Sequence, residues 1–248
     1  MNNSLHYSIS GSGFPVLFLH GFLEDSSMWD YLIIDPIGIQ QIRVDLHGHG
    51  KSISQSSKSS IKQMAFDVME LMHFIGLTQF HMVGHSMGAY VALEIHNLLL
   101  FKTKLILLNS NFWSDSVKKQ RDRERVVSLL TQNKKLFISS ALPSLFLDSN
   151  RFKREIAMLA SKAILFPVQG LIDVTYAMRD RVSFSDYVFL NKDSIFIIQG
   201  EFDTSSSLEK MNNELRCKKN FFVINDIAHM SFIENAKEVN KLLAHILH

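Results

Sequence analysis

Phe80-His81-Met82-Val83-Gly84-His85-Ser86-Met87-Gly88-Ala89-Tyr90 is the stretch that decides the fold of this chain. Residues 80–83 form an apolar run of the kind that makes a short buried strand. After Gly88, apolar residues recur at Ala89, Leu93 and 98–100 with small or polar residues between them, which reads as a helix. A serine pressed between strand and helix occupies a tight, strained turn. Its neighbours must lack side chains, and its hydroxyl projects into the open. A bare Gly-x-Ser-x-Gly is a common accident of composition. The strand–turn–helix setting makes this one a nucleophile elbow rather than a glycine-eased turn with an idle serine.

Composition narrows the classes. At 248 residues the chain suits one large α/β domain, or a core with an inserted subdomain. Its 46% apolar content and formal net charge of +2 disfavour disorder. No dense Lys/Arg patch accompanies the small basic excess, so nucleic acid is not an expected partner. The run Lys118-Lys119-Gln120-Arg121-Asp122-Arg123-Glu124-Arg125 is mixed in sign. It reads as a solvated helix face, with steering of an anionic substrate as the alternative. Cys217 is the single cysteine, which excludes an intrachain disulfide and fits a reducing compartment. No histidine is near it in sequence, so it reads as a bystander thiol. The opening Met1-Asn2-Asn3-Ser4-Leu5-His6 has neither a basic nor an apolar signal region, and no apolar run reaches the length of a membrane span. A cytoplasmic location is the expectation, and the sequence leaves the oligomeric state open.

Strand-like bursts at 16–19, 41–44, 80–83, 105–108, 194–198 and 220–224 alternate with helix-like segments at 61–75, after Ser86, from Ser207 and over 232–247. Each burst runs into a loop of Gly, Asn, Asp or His. Such alternation predicts a parallel sheet covered on both faces by helices, with ligands bound where the strands' carboxyl ends open into loops. One region breaks the pattern. From 111 to 184 only helical stretches occur (117–130, 134–142, 151–166, 168–178), punctuated by Pro143 and Pro167. The expected fold class is therefore α/β: a mostly parallel central sheet flanked by helices, built from 1–110 and 185–248, with a helical cap inserted at 111–184. The cap's Leu129, Leu130, Phe137, Ile138, Leu142, Leu145 and Phe146 line a pocket or pack on one another. The Ser-rich 52–60 reads as a surface loop.

A serine nucleophile needs a base, a group that orients the base, and donors for the oxyanion. The acid and then the base belong on loops after later strands. Strand 194–198 runs into Gln199-Gly200-Glu201-Phe202-Asp203, and strand 220–224 into Asn225-Asp226-Ile227-Ala228-His229. Parallel strands open both loops on the face of Ser86, so Asp203 can hold the tautomer of His229 while His229 takes the Ser86 proton. Glu201 is displaced by two residues, and Asp226 is too near His229 in sequence to reach its ring easily. The loop after 105–108 offers Asn109-Ser110-Asn111 and no carboxylate before Asp115, which favours Asp203. His229 alone among the eleven histidines lies between the last strand and the last helix. His245 and His248 read as exposed, and His47, His49 and His81 as structural or solvated. The oxyanion donors are the backbone N–H of Met87, which starts the helix, and of Phe22 after Gly21. His20 orients this loop.

His20-Gly21-Phe22, Asp45-Leu46-His47-Gly48-His49-Gly50-Lys51-Ser52, the elbow at 84–88, Gly200-Glu201-Phe202-Asp203 and Ala228-His229 span nearly the whole chain. In that set and order the chain resembles the α/β-hydrolase fold family. The resemblance implies a serine hydrolase that cleaves an ester-like bond of a small molecule through an acyl-enzyme. Esterases, lipases, C–C bond hydrolases, peptidases, thioesterases and some lyases share these motifs. Members that hydrolyse halides or epoxides place Asp at the elbow, and Ser86 argues against those. Receptor members often lose the small residue after Ser-x, and this chain keeps Gly88 and Ala89. Asp45 resembles the family's turn-forming aspartate. The proline common shortly after the acid is replaced by Thr204-Ser205-Ser206-Ser207. No metal or cofactor is expected, since no ligand spacing or phosphate loop is present. The alternatives are a C–C hydrolase or a lyase of the menaquinone-pathway type, which basic cap residues facing Ser86 (Arg151, Arg179 or Arg181) would favour, and a non-catalytic small-molecule receptor.

Overall fold

The computed structural model describes residues 5–32, 38–52, 60–101 and 103–248. Among these, seven strands make one sheet: β1 (Tyr7–Gly11), β2 (Phe14–Leu19), β3 (Ile39–Val44), β4 (His81–His85), β5 (Leu105–Leu108), β6 (Ile195–Gly200) and β7 (Phe221–Ile224). Their spatial order is β1-β3-β2-β4-β5-β6-β7. All neighbours pair in parallel except β1, which runs antiparallel to β3 at one edge. The sequence reading misses β1. Its side chains are mostly exposed, so it carries no apolar burst.

The central strands are buried on both faces, which is why they read as unbroken apolar runs. Leu17, Leu19 and Met82 face α1 (Ile61–Phe74) and α2 (Met87–Leu98) on one side. Val16, Phe18, Val83 and Ile106 face a short 3-10 turn at Ser26–Tyr31 and the last helix on the other. That last helix is α9 (Ala236–Leu247), and α7 (Leu208–Glu214) joins β6 to β7. The single terminal helix expected over 232–247 is in fact two. Asn235, at φ −147°, breaks it into α8 (Ser231–Glu234) and α9, and its side chain caps α9 by accepting from Glu238 N–H.

Between β5 and β6 lie only helices: α3 (Val117–Ala141), a 3-10 turn at Pro143–Leu145, α4 (Lys153–Ala163), α5 (Val168–Arg179) and α6 (Ser185–Leu190). Phe184 N–H donates to Phe112 O at 2.7 Å, so the chain returns to the sheet beside the point where it left. The gap expected near 130–134 is a kink, not a break. Asn133 departs from helical geometry and its Oδ1 caps the continuation at Leu136 N–H. Leu130, Ile138, Leu142 and Phe146 pack inward, whereas Leu129 points to solvent. Helix α5 docks against the turn after β3 at a Gly170–Gly48 crossing, where a Cβ on Gly170 would lie 2.6 Å from Gly48 Cα. No single helix among the described residues is long and apolar enough to cross a membrane. Residues 53–59 of the Ser-rich stretch, and residues 1–4, lie outside the described residues.

Candidate active site

Ser86 ends β4 and precedes α2 with φ 49° and ψ −114°, a conformation that costs a non-glycine residue on the order of 1–3 kcal/mol. Both flanking glycines are forced. A Cβ on Gly84 would lie 2.5 Å from Ala89 Cα, and one on Gly88 would lie 2.5 Å from the carbonyl carbon of Leu19. The elbow is therefore wedged between its own helix and the end of β2. Ser110 Oγ donates to Ser86 O at 2.7 Å and braces it from β5.

Asp203 and His229 meet as the spacing predicts. His229 Nδ1 donates to Asp203 Oδ2 at 2.9 Å, and both residues are buried. Asn109 Nδ2 and Gln199 Nε2 also donate to Asp203 Oδ2, at 3.2 and 3.1 Å. Ser205 and Ser206 N–H donate to Oδ1, at 2.8 and 3.1 Å. A proline at 205 or 206 would have no such N–H, so the serine run here supplies donors. Burial pushes the Asp203 carboxyl up, but His229 and these donors outweigh it and hold it below the usual carboxylate range. Burial likewise pushes His229 down, and the Asp203 charge outweighs this to raise it above its ordinary value. Glu201 instead accepts from Asp226 N–H at 3.1 Å, so neither rival acid engages His229.

Ser86 and His229 line one cavity of about 300 Å³, together with Phe22, Phe137, Leu145 and Met178. Among the described residues no hydrogen bond joins Ser86 Oγ to the His229 ring.

The two expected oxyanion donors are the amides left over. Gly21 N–H donates to Glu24 Oε2 at 2.6 Å and Leu23 N–H to His49 Nε2 at 3.2 Å, which leaves the Phe22 N–H between them without a protein acceptor among the described residues. Met87 is the first residue of α2, so its N–H has no acceptor inside the helix. His20 orients the loop from below: its Nε2 accepts from Leu46 N–H and its Nδ1 donates to Gly21 O, each at 2.8 Å.

A buried pair that sequence reading misses lies beneath these parts. His85 Nδ1 meets Glu24 Oε2 at 3.0 Å, and His85 Nε2 meets His229 O at 3.1 Å. Both ring nitrogens thus face oxygen atoms. Burial pushes Glu24 up, and the His85 charge beside it more than reverses that. One pair thus ties together the loop after β2, strand β4 and the loop that carries His229. Glu24, His85, Asn109 and Gln199 are all polar residues at strand ends or just beyond. That is the signal by which they are findable.

The helical segment between β5 and β6 meets this site from one side. Leu145 O accepts His229 N–H at 3.0 Å. Glu234 accepts from Leu147 N–H of the cap at 2.8 Å and from Ala228 N–H at 3.0 Å. Of the mixed-charge run on α3, Lys119 and Arg123 line the cavity, so that face is not wholly solvated. Arg181 is buried against Asp115, Arg179 pairs with Asp180 and Glu124, and Arg151 lies on the Phe152 ring. No group of three or more His, Cys, Asp or Glu among the described residues is arranged to hold a metal ion.

Known proteins share this architecture. The solved structure of a thermophilic esterase from Thermogutta terrifontis superposes with a TM-score of 0.88 at 27% identity, over 98% of this chain and 92% of that one. Two curated relatives match over shorter stretches. A dihydrolipoyllysine-residue acetyltransferase component of the acetoin cleaving system from Cupriavidus necator is 36% identical over 94 residues, 37% of this chain and 25% of the relative. Epoxide hydrolase 2 from Siraitia grosvenorii is 36% identical over 93 residues, 36% of this chain and 29% of the relative. The matched stretches thus span under a third of those relatives' lengths. The family model described as the alpha/beta hydrolase family matches residues 16–241, and by that match the chain belongs to this family.

Proposed function

We propose that the protein is a serine hydrolase that cleaves an ester-like bond of a small molecule through Ser86, His229 and Asp203. The observation that carries this reading is the Asp203–His229 hydrogen bond at the wall of the cavity into which the strained Ser86 turn opens. Asp203 fixes the proton on Nδ1 of His229 and leaves Nε2 to accept the Ser86 proton. The serine oxygen then adds to the carbonyl carbon, and the Phe22 and Met87 amides take the charge that develops on the carbonyl oxygen. Each donor of that kind is worth roughly 10²–10³ in rate. His229 returns the proton to the departing alcohol, and water resolves the acyl-enzyme by the same route. The relatives include epoxide hydrolases and a dehalogenase, but a serine at the elbow supports acyl chemistry here. The segment 111–184 serves as a cap that shapes the cavity.

A C–C hydrolase or lyase reading draws on Lys119 and Arg123, basic cap residues that line the same cavity. Product analysis separates it from ester hydrolysis. The decisive experiment for the nucleophile is fluorophosphonate labelling with an ester panel. Ser86→Ala is expected to lose both label and turnover while melting cooperatively like the wild type. Full labelling of that variant would place the reactive serine elsewhere.

A further inference from the structure

One wall of the cavity holds more positive charge than the protein neutralises. Asp115 is the anion there, and both its oxygens are taken: Oδ1 by Arg181 Nη1 at 2.6 Å and Oδ2 by Arg123 Nε at 3.0 Å. Lys119, one helical turn before Arg123, lines the same wall and forms no ion pair among the described residues. The remaining acids on this stretch of α3 are engaged elsewhere, Asp122 with Arg125 at 2.8 Å and Glu124 with Arg179 at 3.5 Å. Two guanidiniums, Arg123 at the cavity wall and Arg181 behind it, therefore share the Asp115 carboxylate, and Lys119 stands beside them without an ion pair of its own among the described residues. Arg181 is nearly enclosed, stacked 4.1 Å from the Tyr90 ring centroid, and its buried Nε has no hydrogen-bond partner. Burial lowers the Lys119 ammonium, and the Arg123 guanidinium beside it lowers it further, against the smaller opposing pull of Asp115 and Asp122. Like charges crowded at a cavity wall are unfavourable in the empty protein, and an arriving anion relieves them.

We propose that Lys119 and Arg123 form a subsite for a substrate carboxylate, so that the ester cleaved at Ser86 carries a negative charge on its acyl or its alcohol half. This rests on the hydrolase reading of the same cavity. The same lining includes Val126, Phe137, Leu145 and Met178, apolar side chains that suit a short apolar spacer between the ester and the charged end. A volume near 300 Å³ lies at the small end of small-molecule sites, which fits short dicarboxylate monoesters rather than long acyl chains.

The test compares esters of equal shape and different charge by pH-stat at low ionic strength. Ethyl hydrogen glutarate is set against ethyl 5-methylhexanoate, and carboxymethyl butyrate against isobutyl butyrate. At least one anionic member is expected to exceed its neutral twin about tenfold or more in kcat/KM, as charge-assisted hydrogen bonds produce. That ratio should fall about tenfold in Lys119→Gln and further in Lys119→Gln/Arg123→Gln, each checked by thermal melt. Lys119→Arg should retain most of it. A wild-type ratio near one for both pairs, or a ratio unmoved in folded variants, overturns the subsite. If no ester of either charge is turned over and Ser86 takes no label, the hydrolase reading fails instead. Calorimetric binding of glutarate then decides the subsite alone. Binding lost in Lys119→Gln/Arg123→Gln upholds it, and no binding by the wild type overturns it.

Discussion

Asp203 accepts five hydrogen bonds, and only one of them comes from the residue it orients. The other four fix the carboxylate, so that the His229 ring turns to meet it rather than the reverse. Asp203→Asn replaces an acceptor with an amide that offers His229 Nδ1 a donor, which favours the wrong tautomer. On the serine-triad precedent kcat should fall by roughly 10⁴. The acid limb of kcat/KM reports the same contact. As the proposed base, His229 works only when neutral, so activity is expected to rise with pH through its raised value, above the ordinary 6.5. Residual activity of Asp203→Asn should show that limb at lower pH. Glu201→Gln and Asp226→Asn should leave both quantities nearly unchanged, and a crippling Asp226→Asn would reassign the acid. Glu24 is a different kind of residue. Its Oε2 meets both Gly21 N–H and His85 Nδ1 in a fully buried place, so Glu24→Gln should cost about 1–3 kcal/mol of stability by urea denaturation, the usual effect of leaving buried polar partners unmatched. An unchanged urea midpoint would mean that the amide satisfies both partners.

At the scale of elements, the site is made of strand ends held by helices, and this is where reading from sequence succeeds and where it stops. The loops that carry Ser86, Asp203 and His229 are legible because each follows a strand that reads as an apolar run. The edge strand β1 is illegible for the opposite reason, since it buries almost nothing. The helices between β5 and β6 are legible from their spacing, but their docking is not. It depends on contacts between residues far apart in the chain, such as Gly48 with Gly170 and Leu145 with His229. The Gly48–Gly170 crossing gives a direct check. Within a helix Gly→Ala ordinarily gains about 1 kcal/mol. At Gly170 the new methyl would meet Gly48 Cα at 2.6 Å, backbone against backbone, with no flexible side chain to yield. Overpacking of this kind costs about 1–3 kcal/mol, so the clash should win. Gly170→Ala should therefore lower the melting temperature by several degrees and shift ester preference. A variant more stable than the wild type would show that α5 is free to slide over the turn.

For the molecule as a whole, buried histidines set how stability depends on pH. His49 lies wholly inside the protein. It accepts from Leu23 N–H through Nε2 and donates to His47 O through Nδ1, a pattern that suits the neutral ring. Burial, with His20 beside it, pushes its pKa from 6.5 down to about 3. The unfolded chain therefore binds a proton below pH 6.5 that the folded chain refuses, and stability must fall as pH drops from 6.5 toward 3. The slope is about 1.4 kcal/mol per pH unit, and the whole loss is on the order of 4 kcal/mol. His81, lowered to about 4, and His96, also lowered by burial, add to the same slope, the half-exposed His81 with less weight. His229 acts in the opposite sense. Its raised value gives stability that is present below 6.5 and lost as pH climbs through the folded value. Glu24, Asp45 and Asp203, all lowered, contribute above their ordinary values of 4.5 and 3.8 and lose that contribution only at lower pH. Between pH 6.5 and 4.5 the histidines therefore govern, and the net fall with acid should be visible in urea midpoints taken across that window. His49→Gln keeps one donor and one acceptor but has no proton to refuse. It should be less stable at pH 7.5 and flatter below 6.5, so that the two curves converge toward pH 4.5. Parallel curves would mean that His49 takes up its proton inside the folded protein, which the two hydrogen bonds it makes do not allow.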